Sequence, residues 1–142
     1  MTKLSKYFSL QELTYLRQWD CFHNPSPKEL ENLTKLALAM DTVREFLGNP
    51  IIVHCGIRPI LNNINSEYHG KDYNSFIGGA PKSAHKVGLA IDFHVANMDC
   101  DKVRELIIPK LEEWKMRCED LPGSNWVHLD LAPVKKARFF KP

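Results

Sequence analysis

From Ser26 to Gly48, apolar side chains recur every three or four positions, at Leu30, Leu33, Ala37, Met40, Val43 and Leu47. That is the repeat of a helix with one buried face. Ser26 and Glu29 form a capping-box pattern at its start, Pro27 suits the first helical position, and Gly48 suits the stop. Ser9 and Glu12 repeat the capping box and predict a short helix from about Leu10. The period then changes. Pro50 to Gly56, "PIIVHCG", is β-branched and bounded by breakers, which predicts a strand that turns out through "GIRPILNN". Asn63 to Ile77 is polar with no sustained period and predicts a long loop, in which Tyr68, His69 and Tyr73 are groups able to cover a bound peptide. "HKVGLAIDFHV" enters a second strand, "DKVRELI" is helical until Pro109 kinks or ends it, and "KMRCED" and "NWVHLDLA" are two strands joined by the turn "LPGS". There is no internal repeat. Helices, strand, loop, strand, helix and hairpin, in that order, predict an α+β fold with a small antiparallel sheet, built as one domain over residues 1–142.

Strand alternation sorts the polar residues. Ala90, Asp92 and His94 share one face, and Leu89, Ile91, Phe93 and Val95 the other. In the last strand Trp126, His128 and Asp130 oppose Val127, Leu129 and Leu131. If these two strands are neighbours, Asp92 and His128 converge, and His85 reaches the same point from the loop ahead of the first strand. A carboxylate on a strand rich in Ile and Phe is costly to bury unless a cation or strong donors compensate it. Two imidazoles and a carboxylate form a common zinc set that leaves a position open for water. His94, two residues from Asp92, is the natural substitute ligand.

Composition narrows the classes. Hydrophobic residues at 44% and charged residues at 25% describe an ordinary globular chain, and a net charge of +2 gives no case for a nucleic-acid partner. The basic tail "KKARFFKP" reads as a solvated end. No stretch approaches the ~20 apolar residues of a membrane span, and the start "MTKLSKYFSL" lacks the apolar run of a signal peptide. Cys21, Cys55, Cys100 and Cys118 have no C-x-x-C spacing and are expected as free thiols in a chain made in the cytoplasm, a monomer.

The motif S-x-H-x-x-G-x-A-x-D, here Ser83, His85, Gly88, Ala90 and Asp92, followed by W-V-H at Trp126 to His128, resembles the zinc D-Ala-D-Ala carboxypeptidase and L-alanyl-D-glutamate peptidase family, with its phage relatives. The resemblance extends through "YFSLQELT", "LGNPIIVHCGIRP" and "GGAPKSAHKVGLAIDF". It implies the Hedgehog/DD-peptidase fold, one Zn2+ held by His85, Asp92 and His128, and a peptidoglycan stem peptide as partner. It also implies that Arg58 and Ser83 bind the substrate's carboxylate or carbonyl groups. The planar fork of Arg58, just past a strand end, suits a carboxylate.

A zinc peptidase needs a carboxylate that moves a proton from the attacking water to the leaving amine. Dipeptidases and endolysins of this broad family carry an acid three residues before the last His, where this chain has Asn125. The substitutes are Glu119 and Asp120. Alternation does not separate them, and similar phage sequences keep a glutamate at the place of Glu119. Two readings follow: a zinc metallopeptidase of cell-wall peptide, cutting beside a D-amino acid and acting at the bacterial wall, or a non-catalytic zinc module that recognises wall peptide or a protein partner.

Overall fold

The computed structural model describes residues 1–142. Both capping boxes form: Ser9 starts α1 (Leu10–Thr14) and Ser26 starts α2 (Pro27–Leu47), each accepting from the N–H of its glutamate, which in turn accepts from the cap's own N–H. Between them a short hairpin, β1 (Tyr15–Leu16) and β2 (Cys21–Phe22), brackets a 3-10 turn at Arg17–Trp19. Gly48 closes α2 in a left-handed conformation. Leu33, Ala37, Met40, Val43 and Leu47 are buried as the periodicity predicts, and Leu36 joins them. Leu30 differs: in the helix's first turn it stays exposed.

Next come β3 (Ile51–Cys55), a single-turn helix α3 (Tyr73–Phe76), β4 (Ala90–Val95) and α4 (Cys100–Ile107). Pro109 sits in a 3-10 turn that leads into α5 (Leu111–Trp114). The chain ends with β5 (Arg117–Glu119), β6 (Val127–Asp130) and β7 (Phe139–Phe140). One five-stranded sheet runs β3-β4-β6-β5-β7. It is antiparallel except at its edge, where β7 lies parallel to β5. The fold is thus the expected α+β arrangement, with helices packed on one sheet face. Ile91, Phe93, Val95, Val127, Leu129 and Cys118 point into the core with α2, which leaves the opposite face of β4, β5 and β6 for polar side chains.

Two expectations are corrected. The basic tail is not a free end: the Cys118 N–H donates to the Arg138 carbonyl at 2.7 Å and the Asp120 N–H to that of Phe140 at 2.7 Å. An exposed sheet edge with open backbone groups favours such pairing, and two phenylalanines supply the apolar contact that a solvated tail would lack. The stretch 63–77 is not structureless either. Tyr73 is buried with Leu16, Trp19 and Leu61 in a second small core, and Tyr68 stacks on Trp19 with ring centroids 4.7 Å apart. Those two rings serve packing rather than a peptide.

Candidate metal centre and cleft

Three backbone devices bring the site together. In the antiparallel register of β4 and β6, Asp92 lies directly opposite His128. His85 arrives on a 3-10 turn, Ala84–Val87, which Ser83 starts by accepting from the His85 N–H at 3.2 Å, and Asn32 of α2 ties that turn down by donating to the Val87 carbonyl at 2.8 Å. Gly56 ends β3 so close to α1 that a Cβ would meet the Leu13 carbonyl oxygen at 2.4 Å. No other residue fits there, and its carbonyl is a partner of His85.

The ligand-type atoms of His85, Asp92 and His128 all lie within 4.8 Å of one another, and all three residues are buried. Asp92 Oδ1 is 3.1 Å from His85 Nε2 and 3.0 Å from His128 Nδ1. The far nitrogens are fixed. His85 Nδ1 lies 2.7 Å from the Gly56 carbonyl oxygen and His128 Nε2 lies 2.7 Å from Asp130 Oδ2. A carbonyl and a carboxylate can only accept, so each ring donates outward. Each neutral ring then turns a lone pair toward Asp92. Three acceptors facing one point require a proton or a cation there, and outward bonds to carbonyl and carboxylate are the usual supports of metal-bound imidazoles. The donor set therefore fits a zinc ion.

Without metal the same geometry holds a proton. Burial opposes ionisation of Asp92, but its contacts with the His128 and His85 rings hold its carboxyl far below the usual carboxylate range. Burial likewise opposes charging of His128, yet hydrogen bonds to Asp130 and Asp92 push it up to about 9. Arg117 completes the outer support: its Nε and Nη2 donate to the two oxygens of Asp130 at 2.8 and 3.0 Å.

A cleft of about 240 Å³ opens over this group, lined also by Arg58, Ser83, Glu119 and Trp126. Arg58 Nη2 donates to Asp92 Oδ2 at 3.0 Å, while its buried Nε has no partner. Cys118 faces the core, so Arg117 and Glu119 on either side of it face the cleft, and Glu119 Oε1 stands 3.6 Å from His128 Nδ1. Asp120, one residue on, instead meets Lys141 at 3.4 Å and does not line the cleft. Asn125 and His94 also stand apart, together with His54 around a separate hollow. His54 Nε2 and His94 Nδ1 face each other at 2.5 Å, and Asp99 on the rim of that hollow does not close with them into a three-residue ligand group.

Sequence reasoning missed the supports. Asp130 was on the cleft face by alternation, but nothing local ties it to Arg117. Arg104, only 4% exposed, donates to the carbonyls of Ser124 and Trp126 and so fixes the turn before His128. Asn74 of α3 is buried against Gly79, whose Cβ position is 2.1 Å from Asn74 Oδ1 and 3.1 Å from Arg58 Nη1. Asn74, from the stretch 63–77, thus packs behind Arg58 through Gly79.

Two imidazoles and a carboxylate at the floor of a cleft, with a free carboxylate on its wall, define the class of single-metal peptidase sites. A family model described as peptidase M15 matches residues 6–130, and the chain belongs to that family, whose members are zinc metallopeptidases acting on peptidoglycan peptides. No curated protein and no solved structure gave a significant match. Residues 131–142, which build β7, lie beyond the matched span. No helix is long and apolar enough to cross a membrane.

Proposed function

We propose that this chain cuts peptidoglycan stem peptides at a bond beside a D-amino acid, as a D-Ala-D-Ala carboxypeptidase or an endolysin-like endopeptidase of phage origin. His85, Asp92 and His128 would hold one zinc ion. Such an ion, when bound, polarises the scissile carbonyl and acidifies water toward a pKa of about 7. The observation that carries the reading is Glu119, a carboxylate in the cleft 3.6 Å from His128 and outside the three-residue group. A group in that position can accept a proton from the attacking water and return it to the leaving amine, a role of general acid–base type. Arg58, bonded to Asp92 through one nitrogen, keeps further N–H groups for a substrate carboxylate or carbonyl. Ser83 accepts from the His85 N–H, which leaves its own hydroxyl hydrogen to donate into the cleft. Asp120, held by Lys141, has no part in this account.

The test is digestion of defined muropeptides by the full chain, with and without zinc, followed by mass spectrometry. Release of a D-residue or of a peptide ending beside one, stopped by a chelator and restored by zinc, is expected. Bound but uncut muropeptide on zinc-loaded protein would favour the non-catalytic module instead.

A further inference from the structure

The tail gives the cleft a second half. A lobe of about 400 Å³ adjoins the metal end and shares Ser83, Glu119 and His128 with it. Its outer wall is the last stretch of the chain, held by the β5–β7 pairing and by Phe140, over whose ring the Arg117 guanidinium sits at 4.2 Å. Five basic residues line the lobe against two acids, Glu119 and Asp130. The charges do not cancel locally. Arg117 is committed to Asp130, and Lys141 to Asp120. Lys82, Lys135 and Lys136 face the lobe with no carboxylate partner. In a chain whose net charge is only +2, this concentrates unpaired positive charge in one hollow, beside the reacting end.

We infer that the lobe built by the C-terminal tail is a subsite for an anionic group of the substrate: a second carboxylate, remote from the scissile bond, that Lys82, Lys135 and Lys136 receive. The inference rests on the peptidase reading for its choice of ligand: the lobe shares Ser83, Glu119 and His128 with the cleft over His85 and Asp92, so a peptide seated there has the lobe open beside it. Ammonium groups on long stems recognise charge rather than a fixed geometry, so the subsite tolerates variation in where that carboxylate hangs. It also weakens with salt, since the lysines are exposed.

The experiment uses two uncleavable situations and one cleavable one. Zinc-loaded Glu119→Gln protein is titrated by calorimetry with a D-amino-acid peptide whose remote carboxylate is free, and with the same peptide amidated there. The free acid is expected to bind about five- to tenfold more tightly at low salt, with the preference shrinking as salt rises. The triple variant Lys82→Gln/Lys135→Gln/Lys136→Gln in the same background should bind both forms alike with zinc content unchanged. Equal affinity for the two peptides in the lysine-bearing protein, or a preference that survives the triple variant, overturns the subsite. Wild-type cleavage is read separately: protein that cuts neither peptide yet prefers the acid retains the subsite and loses the peptidase reading.

Discussion

Two histidine pairs stand at the sheet, one of them completed from the 3-10 turn that carries His85, and they differ in what surrounds them. His85 and His128 stand with ring centroids 5.1 Å apart, and His54 and His94 at 4.8 Å. The first pair has Asp92 between its nitrogens, outward acceptors at Gly56 and Asp130, and nearly complete burial. The second pair has none of these. Its nitrogens face each other directly, and where burial and the charge of His94 act on His54, its pKa falls. Proximity of imidazoles is therefore a poor criterion for a metal centre. A central carboxylate and partners that fix each ring's tautomer are what turn two histidines into a ligand set.

The sharpest way to break that contrast is to delete one ring from each pair. His85→Ala or His128→Ala should abolish stoichiometric zinc and with it all peptidase activity, whereas His94→Ala should keep both. Zinc analysis of dialysed protein checks this, and loss of metal in His94→Ala would mean that the wrong pair was chosen.

Asp130→Asn asks how much the outer partners matter. The amide still occupies the space but removes the charge that His128 and Arg117 face, so zinc affinity should fall about 10- to 100-fold, as loss of such supports typically does. Competition with a chromogenic chelator gives the value. An unchanged affinity would place the whole effect in the three ligands.

A smaller effect separates the loaded from the stripped protein. In the absence of metal His128 has a pKa of about 9, against an ordinary 6.5. A raised folded-state pKa stabilises the protein fully below the unfolded value, and the stabilisation is lost as pH climbs through the folded one. Stripped protein should therefore lose roughly 2–3 kcal/mol between about pH 6.5 and 9. The zinc-loaded form, whose ring has already given up that proton, should show no such loss, and zinc affinity should rise over the same window. Urea midpoints at the two pH values measure the difference. Parallel curves for both forms would contradict the proton-holding role assigned to His128 in metal-stripped protein.

Much of the candidate metal centre's geometry was legible because it is written in local patterns. Alternation put Asp92, His128 and Asp130 on one face, and the capping boxes and the stripe from Leu33 to Leu47 located the helices behind it. That Glu119 rather than Asp120 lines the cleft follows from a fact that no alternation rule supplies, namely that Cys118 faces the core. The tail was misread for a related reason. Its charge pattern suggested solvent, and only the long-range pairing of Phe139 with Cys118 turns it into a wall of the cleft. Arg104 and Asn74 were silent because their partners lie elsewhere in the chain: Arg104 holds the turn before β6, and Asn74 packs against Gly79. Residues whose role depends on a periodic neighbour can be read from sequence, and those whose role depends on a distant partner cannot.

The central claim is that Glu119 moves the proton and does not hold the metal. Its most direct test measures zinc content and turnover on the same preparation of Glu119→Gln, with Asp120→Asn alongside. Gln nearly matches Glu in volume, so packing is preserved while the proton acceptor is lost. The expected result is stoichiometric zinc with activity on D-Ala-containing peptides reduced about 10²- to 10⁴-fold, the usual worth of a general acid–base, and near-normal turnover in Asp120→Asn. Wild-type rates in Glu119→Gln with zinc in place would contradict the account.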